Sequence, residues 1–437
     1  MLGTGPAGLA AAEALIREGM LRLGGKVLGE LLSADPGYRG PVVACGNGHE
    51  AVFTGYRGKI IDTVVGEVRL RRAWYHCAAC RDGHEHGRGL APRDAELGIT
   101  GTSLSPGLAA MTATAGAEVP FARAAGLLAE LAGIRLTVKR VERAAEAAGA
   151  EQAAATRQQA RLITGREVIP LPPSPLPDKL YMVIDGTGVP VTARETAGRA
   201  GKGPDGRART REVKMAVFFT QDTLDHKGYP VRDKVSSSYI ATFEPAAAFG
   251  DLVRAEGIRR GADHVRQLTI IGDGAAWIWG IATSKFPEAT QIVDLYHARE
   301  HLHSLTRSLE FMLGDHRDEW LAARMEDLDY GYIDGIAAAV RTYPLEGVKK
   351  DEAEKELGYF LNNAPRMRYR WFRSRGLFTG SGVVEAGCKS VIGQRLKQSG
   401  MHWTVSGADS IIALRCAQAS SHREAICPSR HNQTPAA

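Results

Sequence analysis

Two apolar runs of this chain end alike: "KLYMVIDGTG" at residues 179–188 and "QLTIIGDGAA" at residues 267–276. Each is a hydrophobic stretch of strand length with little polar alternation, the pattern of strands buried on both faces of an α/β sheet. Each delivers an aspartate, Asp185 or Asp273, at its expected C-terminal end, followed by glycine. That end is where α/β sheets place ligands. A carboxylate there is costly to bury unless it is paired or bound to a cation. Glu385, in "GSGVVEAGC", is a third carboxylate in an otherwise uncharged stretch entering a helix. For one Asp-Gly pair, a turn cap is a sufficient account. Three such carboxylates predict a hard-oxygen site suited to Mg²⁺ or Mn²⁺. Two such ions about 3.5–4 Å apart can serve phosphoryl transfer.

The rest of the chain divides around this core. "MLGTGPAGLAAAEAL" contains Gly3, Gly5 and Gly8 in a dinucleotide-loop spacing, but only Met1 and Leu2 precede it. The loop mechanism needs a strand there, so residues 1–40 are expected to be helical, through Leu15 to Leu32. Residues 41–100 read as a strand-rich module with Cys45-x-x-x-His49 and Cys77-x-x-Cys80, the ligand layout of a zinc ribbon. An unmetallated cysteine pair is the alternative, and His76, His84 and His86 are competing ligands. Arg69, Arg71 and Arg72 beside Trp74 and Tyr75 give the ribbon an expected basic, aromatic surface. Residues 101–169 read as helices joined at Gly133, with Thr137 as N-cap of a segment carrying Lys139, Arg140 and Arg143. That is a helix-turn-helix-like pattern, or an ordinary helical hairpin. Residues 170–178 hold five prolines in nine positions and are expected to be a linker. Residues 179–418 then form the carboxylate-bearing domain, interrupted by a helical block at about 301–375, and 419–437 are expected to be a disordered tail.

"DLYHAREHL" presents two chemistries at once. His297, Glu300 and His301 spell H-x-x-E-H, the inverted zinc-peptidase motif, which would need a further ligand such as Glu385. Asp294 and His297 form a D-x-x-H pair leaving a strand and entering a helix. The peptidase reading leaves Asp185, Asp273 and the ribbon unexplained.

The net charge of +6 favours a polyanionic partner. Cations cluster in "RETAGRAGKGPDGRARTREVK", which holds Arg194, Arg199, Lys202, Arg207, Arg209, Arg211 and Lys214 in a glycine-rich connection. Such a loop can follow a phosphate backbone, or simply be solvated. Lys389 lies one turn beyond Glu385, with Arg395 and Lys397 further on, and Trp403 is available to stack on a base or to pack in the core. No run reaches the length of apolar residues a membrane span needs. No signal-peptide pattern opens the chain. A cytoplasmic, nucleoid-associated protein is expected.

The segments "VIDGTGVP", "REVK", "IIGDGAAWIW", "QIVDLYHAREHL", "GYFLNNAPRMRY" and "GSGVVEAGCKSVIGQRLKQSGMHW", with the upstream ribbon pattern, resemble transposases of ISKra-type bacterial insertion sequences. These are DDE transposases with a ribonuclease-H-like core, related to Mutator-type elements. The resemblance covers the chain from the ribbon to about Arg415. It implies an α/β, ribonuclease-H-like catalytic domain with an all-α insertion, preceded by a zinc ribbon and a helix-turn-helix-like region. Asp185, Asp273 and Glu385 would then be the catalytic, ion-holding carboxylates, and Asp294 and His297 would assist. Cys45, His49, Cys77 and Cys80 would hold structural Zn²⁺. Lys139, Arg140, Arg143, Arg207, Arg209 and Lys389 would contact DNA. The implied activity is metal-dependent cleavage at element ends and strand transfer into target DNA by a homo-oligomer. A transposase-derived DNA-binding protein that has lost catalysis is the alternative.

Overall fold

The computed structural model describes residues 6–80, 88–201 and 206–420. The chain divides into two compact units, Met1–Ala148 and Gly149–Ala437.

The first unit begins with helix α1 (Pro6–Ser33). Gly8 is therefore a helical residue, while Gly3 and Gly5 lie outside the described residues. Strands β1 (Val42–Ala44), β2 (Glu50–Thr63), β3 (Gly66–Cys77) and β4 (Arg88–Leu90) form an antiparallel sheet in sequence order. Helix α1 packs on β3 through small residues. A Cβ on Gly25 would stand 2.4 Å from the Glu67 carbonyl oxygen, so only glycine permits this approach. After the short α2 (Pro92–Glu96) come α3 (Pro106–Glu118), α4 (Phe121–Ala132) and α5 (Val138–Thr164). Gly133 closes α4 in the left-handed conformation, and Thr137 Oγ1 accepts from the Arg140 backbone N–H, as its expected N-cap role requires. Leu108, Leu128, Ile134, Leu136 and Val141 form the core between these helices.

The division between units falls inside α5, ahead of the proline stretch expected to mark it. The reason is packing: Ala160 and Ile163, near the end of α5, share a core with Leu252 and Ala255 of the second unit.

The second unit is built on β5 (Lys179–Pro190), β6 (Thr210–Leu224), β7 (Pro230–Arg232), β8 (Ser238–Thr242), β9 (Gln267–Gly272) and β10 (Thr290–Val293). The order is β10-β9-β5-β6, with β7 and β8 both pairing β6. β5, β6 and β8 are antiparallel neighbours, whereas β9 and β10 run parallel to β5. Leu180–Ile184 and Met215–Phe219 are fully buried, as two-sided burial of the central strands requires. Helix α6 (Ala246–Arg259) joins β8 to β9, and α7 (Ala276–Lys285) joins β9 to β10. Helices α8 (Leu295–Ser308), α9 (Glu310–Leu313), α10 (Arg317–Tyr330), α11 (Ile333–Arg341), α12 (Gly347–Asn363) and α13 (Tyr369–Ser374) form the all-α insertion. The chain returns through α14 (Gly382–Gly387), a π-helical segment at Cys388–Gly393, α15 (Gln394–Leu396) and α16 (Val405–Ala419).

One expectation needs correcting. β5 does not end at Asp185: Gly186, Thr187 and Gly188 remain paired with β6, opposite Lys214, Val213 and Glu212. Pairing with β9 stops at Val183, so Asp185 stands just beyond the point where β5 loses its neighbour on that side.

Candidate functional site

The ribbon site is assembled from two turns. Cys45 and His49 flank the β1–β2 connection, and Cys77 and Cys80 follow from the end of β3. One ligand atom from each of the four lies within 4.8 Å of the others. Cys45 Sγ and Cys80 Sγ are 3.5 Å apart, and His49 Nδ1 is 3.4 Å from Cys80 Sγ. The Asn47 backbone N–H donates to Cys45 Sγ, and this contact above all pulls the Cys45 thiol down to about 6. The three cysteines are buried and reduced. Two borderline-soft turns converging on one point form a donor set suited to tetrahedral zinc. His76 is not in the group, and His84 and His86 lie outside the described residues.

The surface expected beside it is only partly there. Tyr75 is fully buried, its hydroxyl donating to the Gly40 carbonyl, and Arg72 is a buried partner of Asp94. Arg71 instead stacks on Tyr56 (4.1 Å) and Arg57 on Trp74 (4.5 Å) across the β2–β3 hairpin. Among the helical cations, Arg140 is held by Asp62 at 2.6 Å and by Ser103, which assigns it a structural tie. Lys139 pairs with Glu142, and Arg143 is exposed.

In the second unit, three acidic residues sit at the same end of the parallel strands. Asp185 is half-buried; its Oδ1 accepts from the Gly186 N–H at 2.7 Å, and Cys388 Sγ is 3.6 Å from its Oδ2. Burial pushes its carboxyl above the usual carboxylate range, and the negative charge of Asp273 pushes the same way. The Gly186 N–H, Cys388 and His297 partly offset this. Asp273 follows β9 directly, and its Oδ1 accepts from the Ala275 N–H at 2.9 Å. Glu385 lies in α14, three residues before Cys388, and accepts from the Ser381 hydroxyl at 3.2 Å.

Asp294 is placed differently. It is fully buried, with Oδ1 capping α8 through the His297 N–H at 2.8 Å and Oδ2 accepting from the Ser381 N–H. Both oxygens are occupied, so it fixes the start of α8 and the approach to α14. His297 is partly exposed and within electrostatic reach of Asp185; its Nδ1 is 3.4 Å from Glu300. His301 turns elsewhere: Nδ1 is 2.6 Å from Glu356 Oε2, and its ring stacks on Tyr359. The H-x-x-E-H histidines thus have separate partners. Among the described residues, the ribbon alone gathers three or more candidate ligands within 4.8 Å. Asp185, Asp273 and Glu385 do not form such a group.

Around the site, Lys397 Nζ meets Thr187 Oγ1 at 2.5 Å, and Lys389, Arg207 and Arg209 are exposed. Lys202 lies outside the described residues. Arg395 is a correction: it is buried against the Trp403 ring at 4.9 Å, whose indole N–H donates to the Leu396 carbonyl. Trp403 is core. The π-helical segment after Glu385 was not foreseen. Arg415 donates to its Val391 and Ser390 carbonyls, each at 2.6 Å, occupying acceptors in the widened turn. Cys388 and Tyr359 were also missed as contacts of the two aspartates. The one signal available for Cys388 was its spacing from Glu385.

No helix among the described residues is long and apolar enough to cross a membrane. No protein-family model matches the chain, and comparison with characterised proteins finds no significant match.

Proposed function

We propose that this chain is a DNA transposase of the DDE type, with a ribonuclease-H-like catalytic domain, acting at the ends of an insertion sequence. The observation that carries the reading is the arrangement of Asp185 and Asp273 on the sheet. The antiparallel pairings among β5, β6, β7 and β8 are followed by β9 and β10, which run parallel to β5. One aspartate stands on the central strand where its parallel neighbour stops, and the other at the end of that neighbour. This arrangement supports the reading of a ribonuclease-H-like core. The raised Asp185 carboxyl beside a second carboxylate is a donor set a divalent cation relieves.

Asp185, Asp273 and Glu385 would hold Mg²⁺ or Mn²⁺, which supply Lewis acidity for phosphoryl transfer. Asp185 and Asp273 would fix the two sides of the opening between β5 and β9, and Glu385, three residues before the Cys388 that meets Asp185, would complete the set. His297 offers a protonatable group on the rim, suited to a phosphate oxygen. Water would displace the 3′-oxygen at the element end in line. The released 3′-hydroxyl would attack a target phosphodiester, its proton passing to solvent and the target 3′-oxygen leaving. Lys389, Arg207, Arg209 and Arg143 are exposed and would contact the DNA backbone. The ribbon, with structural zinc, would present Arg57, Arg71, Tyr56 and Trp74. Joining two ends requires paired complexes, so the working form is a homo-oligomer.

The test is cleavage of labelled DNA carrying the element ends, with Mg²⁺ or Mn²⁺, by wild type and Asp273→Ala. Wild type is expected to cut, and the variant to bind the same DNA but cut at least about 100-fold more slowly. A folded, DNA-binding, Mn²⁺-binding wild type that does not cut would favour the DNA-binding protein without catalysis.

A further inference from the structure

Two tyrosines of the helical insertion end on the backbone of the sheet. Tyr359, on α12, donates its hydroxyl to the carbonyl of Asp273 at 2.9 Å. Tyr369, on α13, donates to the carbonyl of Val293, the residue before Asp294, at 3.1 Å. The two acceptors lie at the ends of β9 and β10, the strands that deliver Asp273 and the Asp294–His297 turn.

Both donors are held in place. The Tyr359 ring stacks on His301 with centroids 3.6 Å apart and planes 20° from parallel, and His301 is fixed by Glu356. Asn363 Nδ2 donates to the Tyr359 carbonyl one turn back along α12. Gly274 has φ +104°, and a Cβ there would stand 2.5 Å from the Tyr359 ring, so the glycine turn admits the tyrosine. Tyr369 is fully buried. Burial, then the charges of Asp273 and Asp294, keeps the Tyr359 hydroxyl protonated, and so a donor. Nearby, Arg366 donates to Gln291 of β10 at 2.8 Å and lies over Trp279 of α7.

We propose that Tyr359 is a positioning residue for Asp273, and Tyr369 for the Asp294–His297 turn, so that the helical insertion sets the geometry of the carboxylate site. This rests on the transposase reading for its consequence in catalysis, but not for the clamp itself. His301 then has a task unrelated to zinc: it is the platform on which Tyr359 stacks.

The experiment uses the full chain and Tyr359→Phe, which keeps the ring and removes the hydroxyl. In hydrogen exchange, amides of residues 273–276 are expected to exchange faster, with β5 and β6 unchanged. Titrated with Mn²⁺ alone, the variant is expected to bind about 10–100-fold more weakly. In DNA cleavage, the Mn²⁺ concentration for half-maximal rate is expected to rise by the same factor. The rate at saturating Mn²⁺ should fall less, a split that general loss of stability would not produce. Wild-type exchange at 273–276 together with wild-type Mn²⁺ affinity would overturn the proposal. A wild type that neither binds Mn²⁺ nor cuts DNA would sink the transposase reading instead, and the exchange result would still decide the clamp.

Discussion

The ribbon site and the carboxylate site solve opposite problems. In the ribbon, four donors converge to within 4.8 Å from turns at the ends of one sheet. Its geometry is closed, with soft ligands and buried sulfurs, as a structural ion requires. In the second unit, Asp185, Asp273 and Glu385 come from a mid-strand position, a strand end and a helix, and they stay further apart. On the proposed reading, such a site would leave room for water and substrate. The comparison teaches that closure goes with structural duty, and that an open site needs other elements to hold its ligands.

The largest effect should come from the closed site. Structural zinc contributes on the order of 10 kcal/mol in small zinc modules. Removing it by chelation, or with Cys80→Ser, should expose residues 41–80 to limited proteolysis while the second unit resists. Equal resistance of the ribbon with and without zinc would break the comparison.

Next comes Gly274→Ala. The left-handed turn and the Tyr359 ring both oppose a Cβ, so a loss of about 2 kcal/mol or more is expected in denaturant unfolding. Mn²⁺ affinity should fall with it. Wild-type stability would show that the turn can relax, and that the open site is less tightly supported than its contacts indicate.

The smallest effect has the opposite sign. The folded Asp185 carboxyl lies above its unfolded value. Its contribution to stability is therefore complete below the unfolded carboxylate range, and is lost as pH rises through the raised folded value. Asp185→Asn removes that loss. The metal-free variant should be more stable than metal-free wild type at neutral pH, with the gap closing in acid, as read by denaturation against pH. A less stable variant would mean that the site tolerates its charges without an ion.

The two sites also differ in how far they were legible. Cys45-x-x-x-His49 and Cys77-x-x-Cys80 carry their geometry in local spacing, because a turn sets the distance between its ends. The buried strands, the Thr137 cap and the helical insertion were likewise local patterns. The carboxylates were visible as residues, but their supports were not. Gly186 reads as a turn, yet β6 supplies partners through Pro190, and pairing outweighs the low strand propensity of glycine. Arg395 and Asp294 looked available, and Trp403 was open between a base and the core, because exposure depends on what packs above them. Tyr359 reaches Asp273 across 86 residues of sequence, a separation no local pattern encodes.

The widened turn at Cys388–Gly393 carries a consequence for the reading frame of the helix itself. A π-helical turn accommodates one more residue than an α-helical one. Deleting a single residue between Ser390 and Gly393 would let the hydrogen-bond ladder close as a continuous α-helix. Each residue of an α-helix turns it by about 100°. Because the widened turn and the α-helical turn replacing it each complete one revolution, the deletion would keep Glu385 on its present face relative to the anchored Trp403 segment. Deleting a residue from a regular α-helical turn would instead rotate the glutamate by that angle.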